Sequence, residues 1–164
     1  MLIQCPICKK GKLNFESRKH EIPYFGEVIE TLVYCPICGY KHVDTLTFGE
    51  KEPVRYILKV SGEEDLKIRV VRSSRCRIKI PELGVTVTPG AYCEGFISNV
   101  EGVLCRIEDV VKFARRWNEK KANKLLLEID KIKKGKKEIH LIFEDPTGNS
   151  AIISKKVRKE KLEI

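Results

Sequence analysis

The feature that most constrains this chain of 164 residues is the tetrapeptide Cys-Pro-Ile-Cys, which occurs twice near the N-terminus. The first copy supplies Cys5 and Cys8, and the second supplies Cys35 and Cys38. Two residues between paired cysteines let both sulfurs of a tight turn face one point, and two such turns supply the four thiolates that tetrahedral zinc prefers. The spacing therefore predicts one zinc ion bound by these four cysteines in a zinc ribbon.

The predicted site is structural, because four thiolates leave no open coordination position for a catalytic water. Residues 12–18 and 27–34, between the two pairs, are typical of the strands of a ribbon. Gly11 and Gly39 follow the pairs, where turns near a metal need positive φ. A module of this size buries little apolar surface. We therefore expect zinc binding to determine whether it folds. Two alternatives are open at this stage: the cysteines are core thiols or disulfides, or His42 replaces one ligand.

The composition is that of a folded protein, with 42% apolar and 34% charged residues. The sequence contains no run of 18 apolar residues and no signal segment before Cys5, which predicts a cytoplasmic protein without membrane contact. In a reducing compartment, seven cysteines favour metal binding over a disulfide framework. Abundant Lys and Glu, with one Gln and one Met, are typical of a thermophile.

The formal net charge of +9 is concentrated in two segments. Residues 112–137 contain 11 basic and 3 acidic side chains, and residues 155–161 contain 5 and 1. Residues 1–48, which include both cysteine pairs, contain 6 basic and 5 acidic side chains. The cysteine module therefore lacks the phosphate-neutralising surface of a finger that reads nucleic acid.

Beyond residue 48 the sequence predicts a β-sandwich or barrel-like domain. Strands are predicted at residues 54–60, 66–71, 76–80, 138–143 and 151–153. Between Ile97 and Glu138 the period changes to that of two amphipathic helices, which we expect to turn near residues 118–121 and to form an antiparallel hairpin. Their predicted apolar stripes are Ile107, Val110, Val111, Ala114 and Trp117, and Ala122, Leu125, Leu126, Ile129 and Ile132.

The predicted fold is mostly β with an α insertion. A zinc ribbon occupies residues 1–48, and a β domain occupies residues 49–164, with the helical hairpin at about 107–134 and a basic C-terminal tail.

The outer face of the predicted hairpin carries most of the positive charge. Lys120, Lys121 and Lys124 lie there, and Phe113 and Leu127 fall outside the two apolar stripes. A helical face rich in Lys and Arg is most often simply solvated. Apolar side chains exposed among charges, however, can mark a protein-binding surface. These five residues are therefore the candidate partner-binding residues.

Candidate catalytic groups are scattered, and the sequence predicts no enzyme. Residues 145–150, Asp-Pro-Thr-Gly-Asn-Ser, resemble an active-site turn. A tight connection between β-strands requires the same residue types, however, and no nucleophile–base pair accompanies them. A glycine-rich phosphate loop is also absent. Cys76, Cys93 and Cys105 fall in or beside predicted strands and are interpreted as buried thiols.

Several stretches of the chain, taken in order, resemble the ZPR-one zinc-finger protein family. The match extends over about residues 3–153. The stretches are the two cysteine pairs, residues 22–27 (Ile-Pro-Tyr-Phe-Gly-Glu), 35–40 (Cys-Pro-Ile-Cys-Gly-Tyr), 80–84 (Ile-Pro-Glu-Leu-Gly), 100–102 (Val-Glu-Gly) and 145–150.

The resemblance implies a zinc ribbon followed by a double-stranded β-helix domain with an inserted helical hairpin. Eukaryotic members carry this unit twice, whereas this chain has it once, as expected of an archaeal single-unit member. Eukaryotic members bind translation elongation factor 1 alpha and assist its folding. The resemblance therefore implies a zinc-binding adaptor or folding factor with the elongation factor as its partner.

The alternative function is an RNA- or DNA-binding module that uses the basic hairpin and the tail. Its affinity would fall steeply with salt, because each neutralised phosphate releases counterions.

Overall fold

The computed structural model describes residues 3–22, 25–47, 49 and 51–164. Its strands, in chain order, are β1 (Asn14–Ile22), β2 (Gly26–Tyr34), β3 (Lys41–Thr47), β4 (Val54–Val60), β5 (Arg69–Arg72), β6 (Arg77–Ile80), β7 (Val85–Val87), β8 (Phe96–Asn99), β9 (Ile139–Asp145), β10 (Ala151–Ile153) and β11 (Arg158–Lys161). The helices are α1 (Val100–Ala114) and α2 (Glu119–Lys133), and two short 3₁₀ helices span Glu63–Lys67 and Pro81–Leu83.

The first sheet is a long antiparallel ribbon of β1, β2 and β3 in that order. β1 and β2 pair along their whole length, from Asn14 opposite Tyr34 to Ile22 opposite Gly26. Nine residues per strand, at about 3.3 Å each, make this ribbon about 30 Å long. The first cysteine pair precedes β1 and the second follows β2, so both pairs lie at the same end of the ribbon.

The opposite end of the ribbon packs against the rest of the chain. Ile22 and Val28 are buried there together with Val71 from β5. Ile97 from β8 and Ile153 from β10 are partly buried against them. This contact holds the ribbon by the end that lies away from the cysteines.

The other two sheets have the strand orders β10-β5-β8 and β11-β4-β9-β6-β7. In the five-stranded sheet, side chains alternate between a buried and an outer face, as on β4, where Leu58 and Val60 are buried and Lys59 is exposed. Part of the predicted basic tail is the edge strand β11, which pairs with β4 from Arg158 opposite Ile57 onwards.

The helical hairpin formed by α1 and α2 packs on the buried face of the five-stranded sheet. Val103, Leu104 and Ile107 of α1, with Ile129 and Ile132 of α2, join the sheet residues in one hydrophobic core cluster. Burial of each such aliphatic side chain contributes about 1.5–3 kcal/mol. The inner face of the hairpin is therefore part of the core.

Asparagine side chains define where both helices begin. The side-chain oxygen of Asn99 accepts a hydrogen bond from the N–H of Gly102 at 2.8 Å, and that of Asn118 accepts one from the N–H of Lys121 at 3.0 Å. These bonds satisfy N–H groups that have no partner within the helix, so the helices begin at these positions.

The predicted helical stripe of α1 needs correction. The helix begins at Val100 and not near Ile107, so its buried side starts a full two turns earlier. Val110 and Trp117, predicted in the buried stripe, are 66% and 67% exposed, and Trp117 lies beyond the end of the helix. The chain turns between Ala114 and residue 119, slightly before the predicted position.

Two further sequence predictions are wrong in detail. Leu66 is buried as expected, but it lies in a 3₁₀ helix and not in a strand. The N–H of Ser61 donates to the Asp65 side chain at 2.9 Å, which stabilises this 3₁₀ turn. Cys105 lies within α1 and not beside a strand.

The prediction of a mostly β fold with a four-cysteine module and an inserted helical hairpin is confirmed. The predicted boundary between residues 48 and 49 falls at Phe48, which lies outside the described residues, so this division stays a prediction. Residues 23–24, within the quoted family stretch, also lie outside them. In the described part of the chain, no helix is long and apolar enough to cross a membrane.

Candidate metal centre

The four cysteines of the two Cys-Pro-Ile-Cys turns meet in one cluster. All four Sγ atoms lie within 4.8 Å of one another. The Sγ atom of Cys5 is 3.6 Å from that of Cys38, and the Sγ atom of Cys8 is 3.7 Å from that of Cys35. A disulfide would require an S–S distance of about 2.05 Å. The four thiols are free, so the disulfide alternative is wrong.

A single zinc ion fits this arrangement. Four sulfurs at about 2.3 Å from a central zinc would be about 3.8 Å apart in a tetrahedron, close to the two Sγ–Sγ distances. A donor set of four thiolates without nitrogen or oxygen is also that of structural zinc. His42 does not belong to the cluster, because its Nδ1 lies 2.6 Å from a carboxylate oxygen of Glu94. The alternative in which His42 replaces a ligand is therefore wrong.

The two turns that present the cysteines have the same backbone construction. The N–H of Lys9 donates to the carbonyl of Cys5 at 3.0 Å, and the N–H of Gly39 donates to the carbonyl of Cys35 at 3.1 Å. Lys9 and Gly39 both have positive φ, 55° and 74°. The prediction for Gly39 is confirmed. In the first turn Lys9, and not Gly11, takes the left-handed conformation.

Gly11 is required by the cluster for a different reason. A Cβ atom at this position would overlap the Sγ atom of Cys35 and would contact Ile37. The N–H of Gly11 donates to the Sγ atom of Cys8 at 3.3 Å. The backbone approaches the sulfurs so closely that only a residue without a side chain fits.

The surroundings shift the pKa values of Cys8 and Cys38 in opposite directions. The N–H groups of Lys10 and Gly11 lower the pKa of Cys8 to about 6. The N–H of Tyr40 lowers the pKa of Cys38, but desolvation and the neighbouring sulfurs outweigh it and raise that pKa to about 11. Thiolates this close repel one another, and a divalent cation between them would remove the repulsion.

Each cysteine turn also exposes an apolar tip, which sequence reasoning missed. Ile7 and Ile37, the third residues of the two tetrapeptides, are 66% and 63% exposed, and Ile3 is 47% exposed. Metal binding does not require isoleucine at these positions. The same apolar residue at the same place in both turns is the sequence signal that could have identified this surface.

The candidate partner-binding residues lie on the hairpin and do not contact the cysteine cluster. Phe113 of α1 and Leu127 of α2 are both more than 60% exposed. Lys120, Lys121 and Lys124 are exposed on the first turns of α2. The predicted zinc site and the predicted partner-binding residues therefore lie on different elements.

The charges of the hairpin are only partly neutralised. Glu108 and Glu128 each form ion pairs with two lysines of the hairpin or its flanking residues. Within the described residues, Lys120, Lys121 and Lys124 form no ion pair at all. These three lysines therefore keep their full charge for attraction of an acidic surface.

The turn at residues 145–150 is held by a buried polar network. The Asp145 carboxylate is fully buried and accepts hydrogen bonds from the hydroxyl of Ser73 at 2.6 Å, the N–H of Thr147 at 2.8 Å and the hydroxyl of Ser150. The N–H of Ser73 in turn donates to the Ser150 hydroxyl at 2.9 Å. The network joins the turn after β5 to the turn before β10, which supports a structural interpretation of this segment.

The three remaining cysteines differ in their surroundings. Burial raises the pKa of the Cys76 thiol to about 12, so this thiol stays protonated at neutral pH. Cys93 and Cys105 are half-buried, which corrects the expectation that all three are fully buried.

Comparison with known proteins identifies close relatives of this chain. Residues 64–164 match the ZPR1 jelly-roll domain family. A ZPR1-like protein of Methanocaldococcus jannaschii is 46% identical over 166 residues, which cover 98% of this chain and 84% of the relative. A ZPR1-like protein of Pyrococcus horikoshii is 45% identical, with 96% of this chain and 75% of the relative covered.

A eukaryotic relative matches a smaller part of its own length. The zinc finger chaperone zpr1 of Schizosaccharomyces pombe is 31% identical over 157 residues, which cover 89% of this chain and 34% of the yeast protein. The name of the Schizosaccharomyces pombe relative refers to a zinc finger and a chaperone, and none of the three names refers to an enzymatic activity.

Proposed function

Since the chain belongs to the ZPR1 family, we propose that it is a zinc-binding adaptor or folding factor that acts on a protein partner without catalysis. The partner we propose is translation elongation factor 1 alpha. Cys5, Cys8, Cys35 and Cys38 hold one structural zinc ion, which keeps the ribbon folded. The name of the yeast relative, a zinc finger chaperone, supports action on another protein.

The observation that carries this proposal is the exposed apolar surface of the hairpin. Val110, Phe113, Trp117 and Leu127 are each more than 60% exposed, although the opposite side of the same helices is buried in the core. The rings of Phe113 and Trp117 also form an edge-to-face pair with 5.4 Å between centroids. Exposed aromatic side chains that pack against each other are typical anchors of protein interfaces.

The lysines of α2 have a separate role in this proposal. Lys120, Lys121 and Lys124 steer the encounter with an acidic surface of the partner, while Phe113 and Leu127 supply apolar contact in the complex. Long-range attraction acts on association rates and is screened by salt, whereas the loss of an apolar anchor acts mainly on dissociation.

Surface plasmon resonance against the archaeal elongation factor tests these roles. Replacing Lys120, Lys121 and Lys124 with Glu is expected to lower the association rate and its dependence on salt. Leu127→Ala is expected to raise the dissociation rate by the equivalent of about 1 to 3 kcal/mol. Leu46→Ala is the matched control, because Leu46 is 52% exposed and lies on β3, which is not part of the hairpin.

The same measurements distinguish the nucleic-acid alternative. Three results together would favour nucleic acid: a structured RNA binds the protein, the lysine changes abolish this binding, and Leu127→Ala has no effect on it. The hairpin would then be a phosphate-binding surface, and the adaptor proposal would be wrong. If Phe113→Ala and Leu127→Ala together leave binding of the elongation factor unchanged, the interface lies elsewhere, with the exposed isoleucines of the cysteine turns as the next candidates.

A further inference from the structure

Two arginines from different elements stack on one aromatic ring beside α1. The guanidinium carbon of Arg72, the last residue of β5, lies 5.6 Å from the ring centroid of Phe96 on β8. The guanidinium carbon of Arg106, on α1, lies 4.2 Å from the same centroid. We call Arg72 and Arg106 the arginine pair. The ring holds both cations in place and concentrates positive charge at this position.

In the part of the chain that the structure describes, no carboxylate forms an ion pair with the arginine pair. Arg72 is only 6% exposed, and its guanidinium donates to the carbonyl oxygens of Cys76 at 3.0 and 3.3 Å and of Glu94 at 3.4 Å. These bonds use three of its five N–H groups. Among the described residues, neither Arg72 nor Arg106 forms an ion pair. A cation as deeply buried as Arg72 normally has a carboxylate beside it.

The arginine pair lies where two adjoining cavities meet. The first cavity, of 390 Å³, lies between α1 and the edge of the five-stranded sheet and is lined by Val85, Val87 and Ile107 among other aliphatic side chains. The second, of 670 Å³, extends from the arginine pair towards β3 of the ribbon. Both are lined by the arginine pair, Phe96 and the exposed Val110. Both volumes fall within the range of ligand-binding clefts.

One wall of the first cavity is an edge strand. β7 is the last strand of its sheet, and its Val85 and Val87 stand opposite Ile80 and Ile78 of β6, so they share the inner face that lines the cavity. An edge strand presents backbone N–H and C=O groups to which an extended peptide can pair.

We propose that this groove binds an extended segment of a protein partner in which an acidic residue stands two positions from a large apolar one, so that both side chains point to the same side of the segment. The carboxylate pairs with Arg72 and Arg106, and the apolar side chain enters the cavity beside Val85 and Val87. The inference rests on the proposed function, because it names the chemistry of the partner segment. A nucleic acid fits less well, because the first cavity is mostly aliphatic and Glu94 and Asp109 line the second.

Fluorescence anisotropy with three pools of end-blocked, labelled octapeptides tests the proposal directly. The first pool has a fixed central Asp-Xaa-Leu tripeptide with random uncharged residues at Xaa and in the flanks, the second has Asn-Xaa-Leu and the third has Asp-Xaa-Ser. The first pool is expected to bind, and each of the others at least about tenfold more weakly, since one of the two contacts is lost. Equal binding of the three pools, or no binding at protein concentrations of about 1 mM, would overturn the proposal.

Variants locate the binding in the groove. Arg106→Gln is expected to weaken binding of the first pool at least about tenfold, and Val110→Asp to abolish it by placing a negative charge at the rim. The side chains of Arg106 and Val110 are exposed, so we expect both variants to keep the fold, and circular dichroism verifies this. Arg72→Gln is less suitable, because Arg72 is buried. Arg69→Gln is the matched control, since Arg69 is exposed, forms no ion pair in the described part of the chain and lines neither cavity. An equal loss in Arg69→Gln would mean a general charge effect and would also overturn the proposal.

Parallel binding of the elongation factor separates this inference from the proposed function. If the factor binds and Arg106→Gln does not affect it, and the peptide pools do not bind, the groove proposal is wrong and the proposed function stands. If the first pool binds in a manner that depends on Arg106 but the factor does not bind, the groove proposal stands and the proposed partner is wrong.

Discussion

At the scale of single residues, the cysteine cluster depends on a position that contributes no ligand. Gly11 lies against the Sγ atom of Cys35 and donates its N–H to the Sγ atom of Cys8. A sequence motif of paired cysteines identifies the ligands, because their spacing follows from metal geometry. It does not explain why a glycine follows three residues after Cys8, since positive φ, the usual reason for glycine in such a turn, belongs to Lys9.

Gly11→Ala is therefore expected to lower the affinity for zinc about 10- to 100-fold, the range found when groups that orient metal ligands are changed. The added methyl group would force Cys35 away from the other three sulfurs. Competition with a chromophoric zinc chelator measures the affinity. Gly62→Ala is the control, because Gly62 has an extended φ of −163° and nothing within 4 Å of an added Cβ. Unchanged zinc affinity in Gly11→Ala would contradict the geometry described for the cluster.

At the scale of secondary-structure elements, the sequence predicts strands better than the rotation of the helices. Strands such as β4 follow from an alternating pattern in which only Ile57 is out of place, since a sheet with one buried face favours alternation. The predicted buried side of α1 is partly wrong because the predicted helix omits the first two turns. In those turns Val103 and Leu104 are buried. The capping asparagine at position 99 was the local signal for the true start. Once the helix begins there, Val110 falls on the exposed side.

The turn at residues 145–150 connects elements that are far apart in the sequence, and its role is testable. Asp145→Ala is expected to lower the free energy of unfolding by about 3 kcal/mol or more, because several buried donors lose their acceptor at once. Partner binding by the folded fraction should be unchanged. Thermal and urea unfolding measure the first effect, and plasmon resonance the second. Asp130→Ala, which removes only an exposed ion pair with Lys134, should change stability by less than about 1 kcal/mol.

The opposite result for the turn would change its interpretation. If Asp145→Ala abolished partner binding while the melting temperature stayed the same, the segment would be a functional site and not a structural connection.

At the scale of the whole molecule, the zinc cluster and the groove at the arginine pair differ in how many separate parts of the chain contribute to them. The zinc cluster joins two short motifs, and each motif is complete in the sequence. The groove at the arginine pair combines Arg72, Phe96 and Arg106, which come from β5, β8 and α1. No local pattern links these three residues. Only the pairing of β5 with β8 and the packing of α1 bring them together, so the sequence alone could not predict this site.

The ribbon is supported at both ends by different forces, and removal of zinc should separate them. At the cysteine end, the turns depend on the metal, because the local core consists of little more than Cys5, Leu13 and Cys35. At the other end, about 30 Å away, Ile22 and Val28 are buried against Val71 of β5. Loss of the metal therefore removes the support of one end and leaves the hydrophobic contact of the other intact.

Hydrogen exchange after treatment with a strong zinc chelator measures this difference. The hydrogen-bonded amides of Cys5, Lys9 and Gly39 in the cysteine turns are expected to lose protection completely. The amide of Val28 should keep part of its protection, and those of β9 should keep all of it, because the main core contains no metal ligand. Re-addition of one equivalent of zinc should restore the protection of the turns. Uniform loss along the ribbon, or loss that spreads into β9, would show that the metal supports the fold as a whole and not only the end of the ribbon that binds it.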